Sequence, residues 1–106
     1  MPTKSTTQSF SERCYEILCR VPKGKVTTYA AIAEALNTKA YRAVGQAMSR
    51  NPNAPRVPCH RVVRSDGMLG GYAFGLKKKI ALLSAEGVTV KSGQVDLNRF
   101  LFKPRR

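Results

Sequence analysis

With 106 residues, 42% hydrophobic and 24% charged, the chain has room for one modest globular core and not for two domains. The 19 Lys and Arg against 6 Asp and Glu leave a net charge of +13, which through counterion release favours a polyanion, nucleic acid before an anionic membrane. No apolar run approaches the ~18–20 residues of a spanning helix, segment 1–9 lacks a signal-peptide core, and an odd set of 3 cysteines suits an intracellular, reducing compartment better than a disulfide framework.

Residues 1–9, rich in Thr, Ser and Gln, read as a loose tail. Phe10, Cys14, Ile17, Leu18 and Val21 recur at helical spacing, so a helix is expected over 11–20, stopped by Pro22 and Gly24. Cys14 is then a buried, small apolar residue. Cys14 and Cys19 face different ways on that helix and His60 is the only histidine, which leaves no metal set. Residues 25–27 suit a short strand. Thr28 is a good N-cap for a second helix carrying Tyr29, Ile32, Ala33 and Leu36 on one stripe. Asn37 and Thr38 make a turn, with Thr38 capping a third helix over 39–49. Its apolar stripe is Ala40, Ala43, Val44, Ala47 and Met48, opposite Lys39, Arg42, Gln46 and Arg50. Two short helices joined by a tight turn, the second basic outside, form a helix-turn-helix pattern shared by many small domains. Gly45 inside the third helix costs about 1 kcal/mol relative to alanine. With Ala43 and Ala47 it makes a slim helix for close approach to another backbone, either DNA's or a neighbouring helix's; periodicity does not decide between them.

Segment 51–58 holds 3 prolines and must be a shaped loop. Residues 60–64 suit a strand, Ser65-Asp66-Gly67 a turn, and 68–72 the returning strand of a hairpin. The expected fold class is therefore mainly α with a small β-hairpin: a winged helix. Leu76, Ile80 and Leu83 mark a last helix ending at Gly87. Beyond it, Leu97, Phe100, Leu101 and Phe102 suit partial packing back, with a solvated Lys-Pro-Arg-Arg end. The organisation expected is a tail (1–9), the winged-helix domain (10–88) and a basic extension (89–106).

The basic charge is uneven. Residues 35–65 contain no acid, and Lys39, Arg42, Arg50, Arg56, Arg61 and Arg64 fall there; a second acid-free run, 67–85, carries Lys77, Lys78 and Lys79. Within the first run lies Pro58-Cys59-His60-Arg61-Val62. Nearby cations favour a thiolate, and an adjacent imidazole can serve as its base. Adjacent residues of a strand point to opposite sides, so a water or a turn at Pro58 is needed to connect Cys59 with His60. A structural cysteine beside a surface histidine gives the same dipeptide. Glu86, at a helix C-terminus where the macrodipole disfavours a carboxylate by about 0.3–1 kcal/mol, is either held for a partner such as His60 or simply solvated.

Asn51-Pro52, Pro58-Cys59-His60-Arg61-Val62-Val63, Tyr29 and Arg42-Ala43-Val44-Gly45, continued by Gly70-Gly71-Tyr72, Gly75-Leu76 and Glu86-Gly87, together resemble the O6-alkylguanine-DNA alkyltransferases, the methylated-DNA–protein-cysteine methyltransferases. The resemblance covers about residues 10–88, that family's C-terminal winged-helix domain. It implies a repair protein that flips O6-alkylguanine from double-stranded DNA and takes the alkyl group irreversibly onto Cys59, without a cofactor or metal. His60 would deprotonate Cys59 through a water, Glu86 would orient His60, and Asn51 would brace the active-site loop. Arg42 would fill the gap left in the stack, and Tyr29 would help extrude the nucleotide and protonate the guanine. Tyr72 would wall the base pocket, with the carbonyls of Cys59 and Val62 reading the guanine amino group. The recognition helix would lie in the minor groove, giving Ala43, Gly45 and Ala47 a reason to be small. A monomer is expected, with cooperative DNA binding left open.

The chain departs from the family's pattern in two places: the usual N-terminal domain is missing, and Ala73 stands where some members have a serine that contacts the lesion oxygen. The competing readings are an alkyltransferase-like lesion sensor, a sequence-specific winged-helix regulator and a cysteine hydrolase. The sensor group typically has tryptophan in place of the acceptor cysteine. The regulator would need base-reading side chains that Ala-Val-Gly-x-Ala does not supply, and nothing in the sequence supports a hydrolase's oxyanion hole.

Overall fold

The computed structural model describes residues 9–52, 56–72 and 74–105. Helix α1 (Phe10–Leu18) starts at a capping box: Glu12 N donates to Ser9 Oγ at 3.1 Å and Ser9 N to Glu12 Oε1 at 2.8 Å. Ser9 thus belongs to the fold; the rest of the expected tail lies outside the described residues. The helix stops at Leu18 rather than Arg20, because Pro22 disfavours helix at Val21 and cannot donate to the ladder.

The expected early strand falls at Thr27–Thr28 (β1). Thr28 caps helix α2 (Tyr29–Ala35), its Oγ1 accepting from Ala31 N at 3.0 Å. Asn37, at φ +57°, supplies the left-handed residue that ends it. Thr38 does not cap the next helix. Its hydroxyl accepts from Ala40 N at 3.2 Å and so holds the turn, and α3 runs Tyr41–Ser49 with no side-chain cap. Val44, Ala47 and Met48 face a core shared with Ile17, Leu18, Ile32 and Leu36, while Lys39, Arg42, Gln46 and Arg50 are exposed.

The strand expected at 60–64 is divided. Cys59–Arg61 is a 3-10 turn, set by Cys59 N on the Val57 carbonyl (2.8 Å) and Arg61 N on the Pro58 carbonyl (2.9 Å). Only Val62–Val63 (β2) is strand, and it pairs in parallel with β1, Thr27 opposite Val62 and Thr28 opposite Val63. Because strand neighbours face opposite ways, Val62 enters the first core. Val63 enters a second, with Val26, Leu69, Leu83, Val88, Val95 and Phe100. Arg64 N donates to the Met68 carbonyl across the turn (2.8 Å), but the residues beyond it form no ladder with β2. Gly67, at φ +88°, lies so close to the later chain that a Cβ there would sit 2.7 Å from the Val95 carbonyl, and Met68 bridges to Gln94. The hairpin is instead β3 (Val90–Lys91) with β4 (Gln94–Val95). The class is as expected, mainly helical with small sheets; the hairpin sits elsewhere in the chain.

Helix α4 (Leu76–Ala85) ends before Gly87, at φ +88°. Of its successive lysines, Lys77 and Lys78 are exposed but Lys79 is fully buried, so it adds nothing to the basic surface. A last turn, α5 (Leu97–Phe100), brings the chain back: Val26 N donates to the Phe100 carbonyl (2.9 Å) and Phe102 N to the Val26 carbonyl (2.7 Å). Pro104, expected to be solvated, is buried. Among the described residues no helix is long and apolar enough to cross a membrane, and no group of three or more His, Cys, Asp or Glu could hold a metal ion.

Candidate active site

Tyr29, Gly45, Met48, Ser49, Cys59, Gly71 and Tyr72 line a cavity of about 290 Å3. That is at the low end of the ~300–1,000 Å3 of small-molecule pockets, room for one flat ring system. Tyr29 is the first residue of α2, so the Thr28 cap fixes its backbone. Gly70, at φ +70°, brings its loop against the Tyr29 phenol, 3.3 Å from where a Cβ would stand. Burial raises the phenol pKa values of both Tyr29 and Tyr72, and the Cys59 charge adds to it, so each keeps its proton at neutral pH. Asn51 Nδ2 donates to the Val57 carbonyl at 2.7 Å and pins the loop that leads into Cys59.

Successive residues of a 3-10 turn are about a third of a revolution apart, so Cys59, His60 and Arg61 point three ways. Cys59 meets the cavity, only 4% exposed. His60 is buried, its Nε2 3.0 Å from Glu86 Oε2. Arg61 grips the same carboxylate with Nε on Oε1 (2.9 Å) and Nη2 on Oε2 (2.8 Å), and Nη1 donates to the Val21 carbonyl (2.9 Å). Burial works to raise the Glu86 pKa, but the bonds from Arg61 and His60 outweigh it and hold the carboxyl below its ordinary value. Glu86 is therefore an ionised acceptor. The proton of a neutral His60 must then sit on Nε2, leaving the lone pair on Nδ1. Burial also keeps the ring neutral, pulling its pKa down against the opposing pull of Glu86. His60 Nδ1 is buried without a hydrogen-bond partner among the described residues. This is a base with its lone pair free, one residue from a thiol at a cavity.

The other expected site residues fall differently. Arg42 and Ala43 lie on α3, exposed and half-buried, outside the cavity lining. A Cβ on Gly45 would meet nothing within 4 Å, so no neighbouring helix explains that glycine. Ala47 is small for the core: it is buried, and its carbonyl accepts the Tyr15 hydroxyl at 2.7 Å. Val62 is buried and does not line the cavity; its carbonyl accepts from Lys79 Nζ at 2.7 Å. Ala73 lies outside the described residues. The cations gathered around Cys59 in the sequence are also dispersed, since Arg61 is committed to Glu86 and Arg64 lies exposed 3.6 Å from Asp66. Sequence reasoning missed the Arg61 grip, and it missed Lys79. A signal existed for the latter: Lys79 is three residues after Leu76 and four before Leu83, on the apolar stripe of α4.

A family model described as the DNA binding domain of 6-O-methylguanine DNA methyltransferase matches residues 9–88. The chain belongs to this family. It is 48% identical over 83 residues to a methylated-DNA–protein-cysteine methyltransferase of Methanosarcina mazei, covering 77% of this chain and 52% of that one. The solved O6-methylguanine-DNA methyltransferase of Pyrococcus kodakaraensis superposes with a TM-score of 0.70 at 47% identity, over 81% of this chain and 50% of the other. The Atl1 protein of S. pombe, solved with damaged DNA containing O6-carboxymethylguanine, superposes with a TM-score of 0.80 at 29% identity, over 98% of this chain and 100% of that one. The chain spans about half the length of most of the curated relatives it matches, 52% and 58% in two of them and 30% of a bifunctional methyltransferase/endonuclease of Picrophilus torridus.

Proposed function

We propose that this domain binds double-stranded DNA containing O6-alkylguanine, turns the damaged nucleotide into the Cys59 cavity and transfers the alkyl group to Cys59 Sγ. The observation that carries this reading is the Nδ1 lone pair of His60, fixed by Glu86 beside a cysteine at a base-sized cavity. His60 takes the thiol proton through a water. The thiolate attacks the alkyl carbon in line, the C–O6 bond breaks, and its electron pair passes to the guanine, which Tyr29 protonates. Guanine is restored and an S-alkylcysteine remains. Nothing in the proposed reaction cleaves that thioether, so each chain acts once.

A base must leave the duplex for such an attack, and weakened pairing at the lesion lowers the cost. Arg42, exposed on α3, fills the gap, while Ala43 and the open face of Gly45 let α3 approach the minor groove. Tyr72 walls the base on one side. The Cys59 carbonyl reads the guanine amino group, joined by the second lone pair of the Val62 carbonyl. Glu86 and Asn51 act as positioning residues, and Ala73 leaves recognition of the lesion oxygen to backbone. Residues 10–88 carry the chemistry, and the domain acts as a monomer inside the cell. A second reading, lesion binding without transfer, is favoured by the near-complete overlap with S. pombe Atl1. Labelling the native chain beside Cys59→Ala separates the two: the native chain should accept label from O6-[3H]methylguanine DNA, and the variant should accept none while still retaining lesion-containing duplex over undamaged duplex in a gel-shift assay. Label accepted by the variant, or none accepted by the native chain, would overturn the transfer reading.

A further inference from the structure

Lys79 is the largest fully buried side chain among the described residues, yet the proposed reaction gives it no part. Its ammonium donates to the backbone carbonyls of Val62 (2.7 Å), Gly71 (3.0 Å) and Leu69. An ammonium has three N–H donors and no acceptor, so donors and carbonyls match in number. The carbonyls come from two separate pieces of the site. Val62 follows directly on the turn that bears Cys59, and Gly71 lines the cavity next to Tyr72. These pieces lie on either side of the 65–67 turn and share no β-ladder, since β2 pairs with β1. Burying a cation is costly, and an apolar side chain of similar volume would fill the space without that cost. What an apolar side chain could not do is draw three carbonyls to one point.

We infer that Lys79 is a positioning residue whose ammonium fastens the Val62, Leu69 and Gly71 carbonyls and so holds the base-cavity wall in register with Cys59. The inference rests on the transfer reaction proposed above. Burial lowers the Lys79 pKa to about 8, against an opposing pull from Cys59. From the 3-10 turn, Cys59 and His60 are the titratable groups that interact with it. β2 and the 69–71 loop offer it carbonyls, and Lys77 and Lys78 on its own helix are exposed. As an amine it would keep two N–H for three carbonyls, and one would be released.

The test compares two rates: single-turnover methyl transfer from saturating O6-methylguanine duplex, and alkylation of Cys59 by iodoacetamide, which is small enough to enter the cavity and needs no base seated against its wall. In Lys79→Arg, whose planar fork cannot aim three N–H at converging carbonyls, transfer should fall at least about tenfold while iodoacetamide alkylation stays within about twofold. A folded variant that transfers at the native rate overturns the inference; so does a parallel fall in both rates. The native chain supplies a second arm that needs no variant. The ratio of the two rates cancels the titration of the thiol, and it should fall as pH rises through about 8. A ratio that stays flat there contradicts the clamp. If the native chain transfers nothing at all, the proposed reaction has failed and not the role of the lysine.

Discussion

Glu86 shows how one carboxylate can define a base. Being ionised, it accepts only, and that places the His60 proton on Nε2 and the lone pair on Nδ1. Arg61 keeps it ionised despite partial burial. In Glu86→Gln the amide can donate to His60 Nε2 and reverse the tautomer. Transfer should then fall on the order of 100-fold, with lesion-duplex affinity changed less than about twofold. The pH dependence of stability follows from the same contacts. Glu86 has its pKa lowered by folding, so its contribution is complete above its ordinary 4.5 and is lost as pH falls through the folded value. His60, also lowered, resists charging in the fold, so stability declines as pH falls below 6.5 as well. Thermal unfolding of native chain and Glu86→Gln on acidification should show their gap closing only in the lower window. At this scale the sequence was informative about which residues meet at the candidate site and silent about which atoms do. Pro58-Cys59-His60 named a thiol and its neighbour, but the sharing of Glu86 between His60 and Arg61 depends on a fold that brings residues 25 and 26 apart together.

Among the elements, the 3-10 turn decides the most. Residues 60–64 look apolar enough for a strand, and a strand would set Cys59 and His60 on opposite faces. The turn, closed on the Val57 and Pro58 carbonyls, spreads the side chains instead into cavity, interior and the Glu86 carboxylate. Strand propensity could not register this, because the deciding bonds are backbone bonds across a proline-shaped corner. Helix ends were more legible, since Thr28, Asn37 and Gly87 act through local chemistry. The hairpin was misplaced because Met68 finds its partner at Gln94, well along the chain. The open face of α3 gives a direct prediction. Gly45→Ala meets no neighbour and should stabilise the domain by about 0.5–1 kcal/mol. Gly45→Leu should fold equally well but weaken lesion binding, because it projects beside the cavity. Thermal unfolding and gel-shift assays check the pair; a loss of stability in Gly45→Ala would contradict the open face.

For the molecule as a whole, residues 89–105 complete the second core. Val95 and Phe100 pack with Val26, Val63 and Leu83, and the backbone of Val26 bonds Phe100 and Phe102 on either side. Ending the chain at Val88 removes the buried Val95 and Phe100 side chains, worth about 1.5–3 kcal/mol each, and the backbone bonds Val26–Phe100, Phe102–Val26, Leu69–Gly93 and Val95–Gly67, of about 1 kcal/mol each. That total rivals the ~5–15 kcal/mol stability of a domain, so urea unfolding of the shortened chain should show a midpoint near zero denaturant. The net charge of +13 acts at the same scale. With Lys79 buried and Arg61 paired, the surface proposed to meet DNA rests on exposed residues such as Lys39, Arg42, Arg50, Lys77 and Lys78. Everything proposed for the site converges on one bond, between Cys59 Sγ and an alkyl carbon. Intact mass followed by peptide mapping, after mixing the chain with duplex bearing one O6-methylguanine, reads that bond directly. The expected result is a gain of one methyl group per chain, located on Cys59 and absent with undamaged duplex. An unchanged mass, with or without selective retention of the lesion duplex, would contradict the transfer.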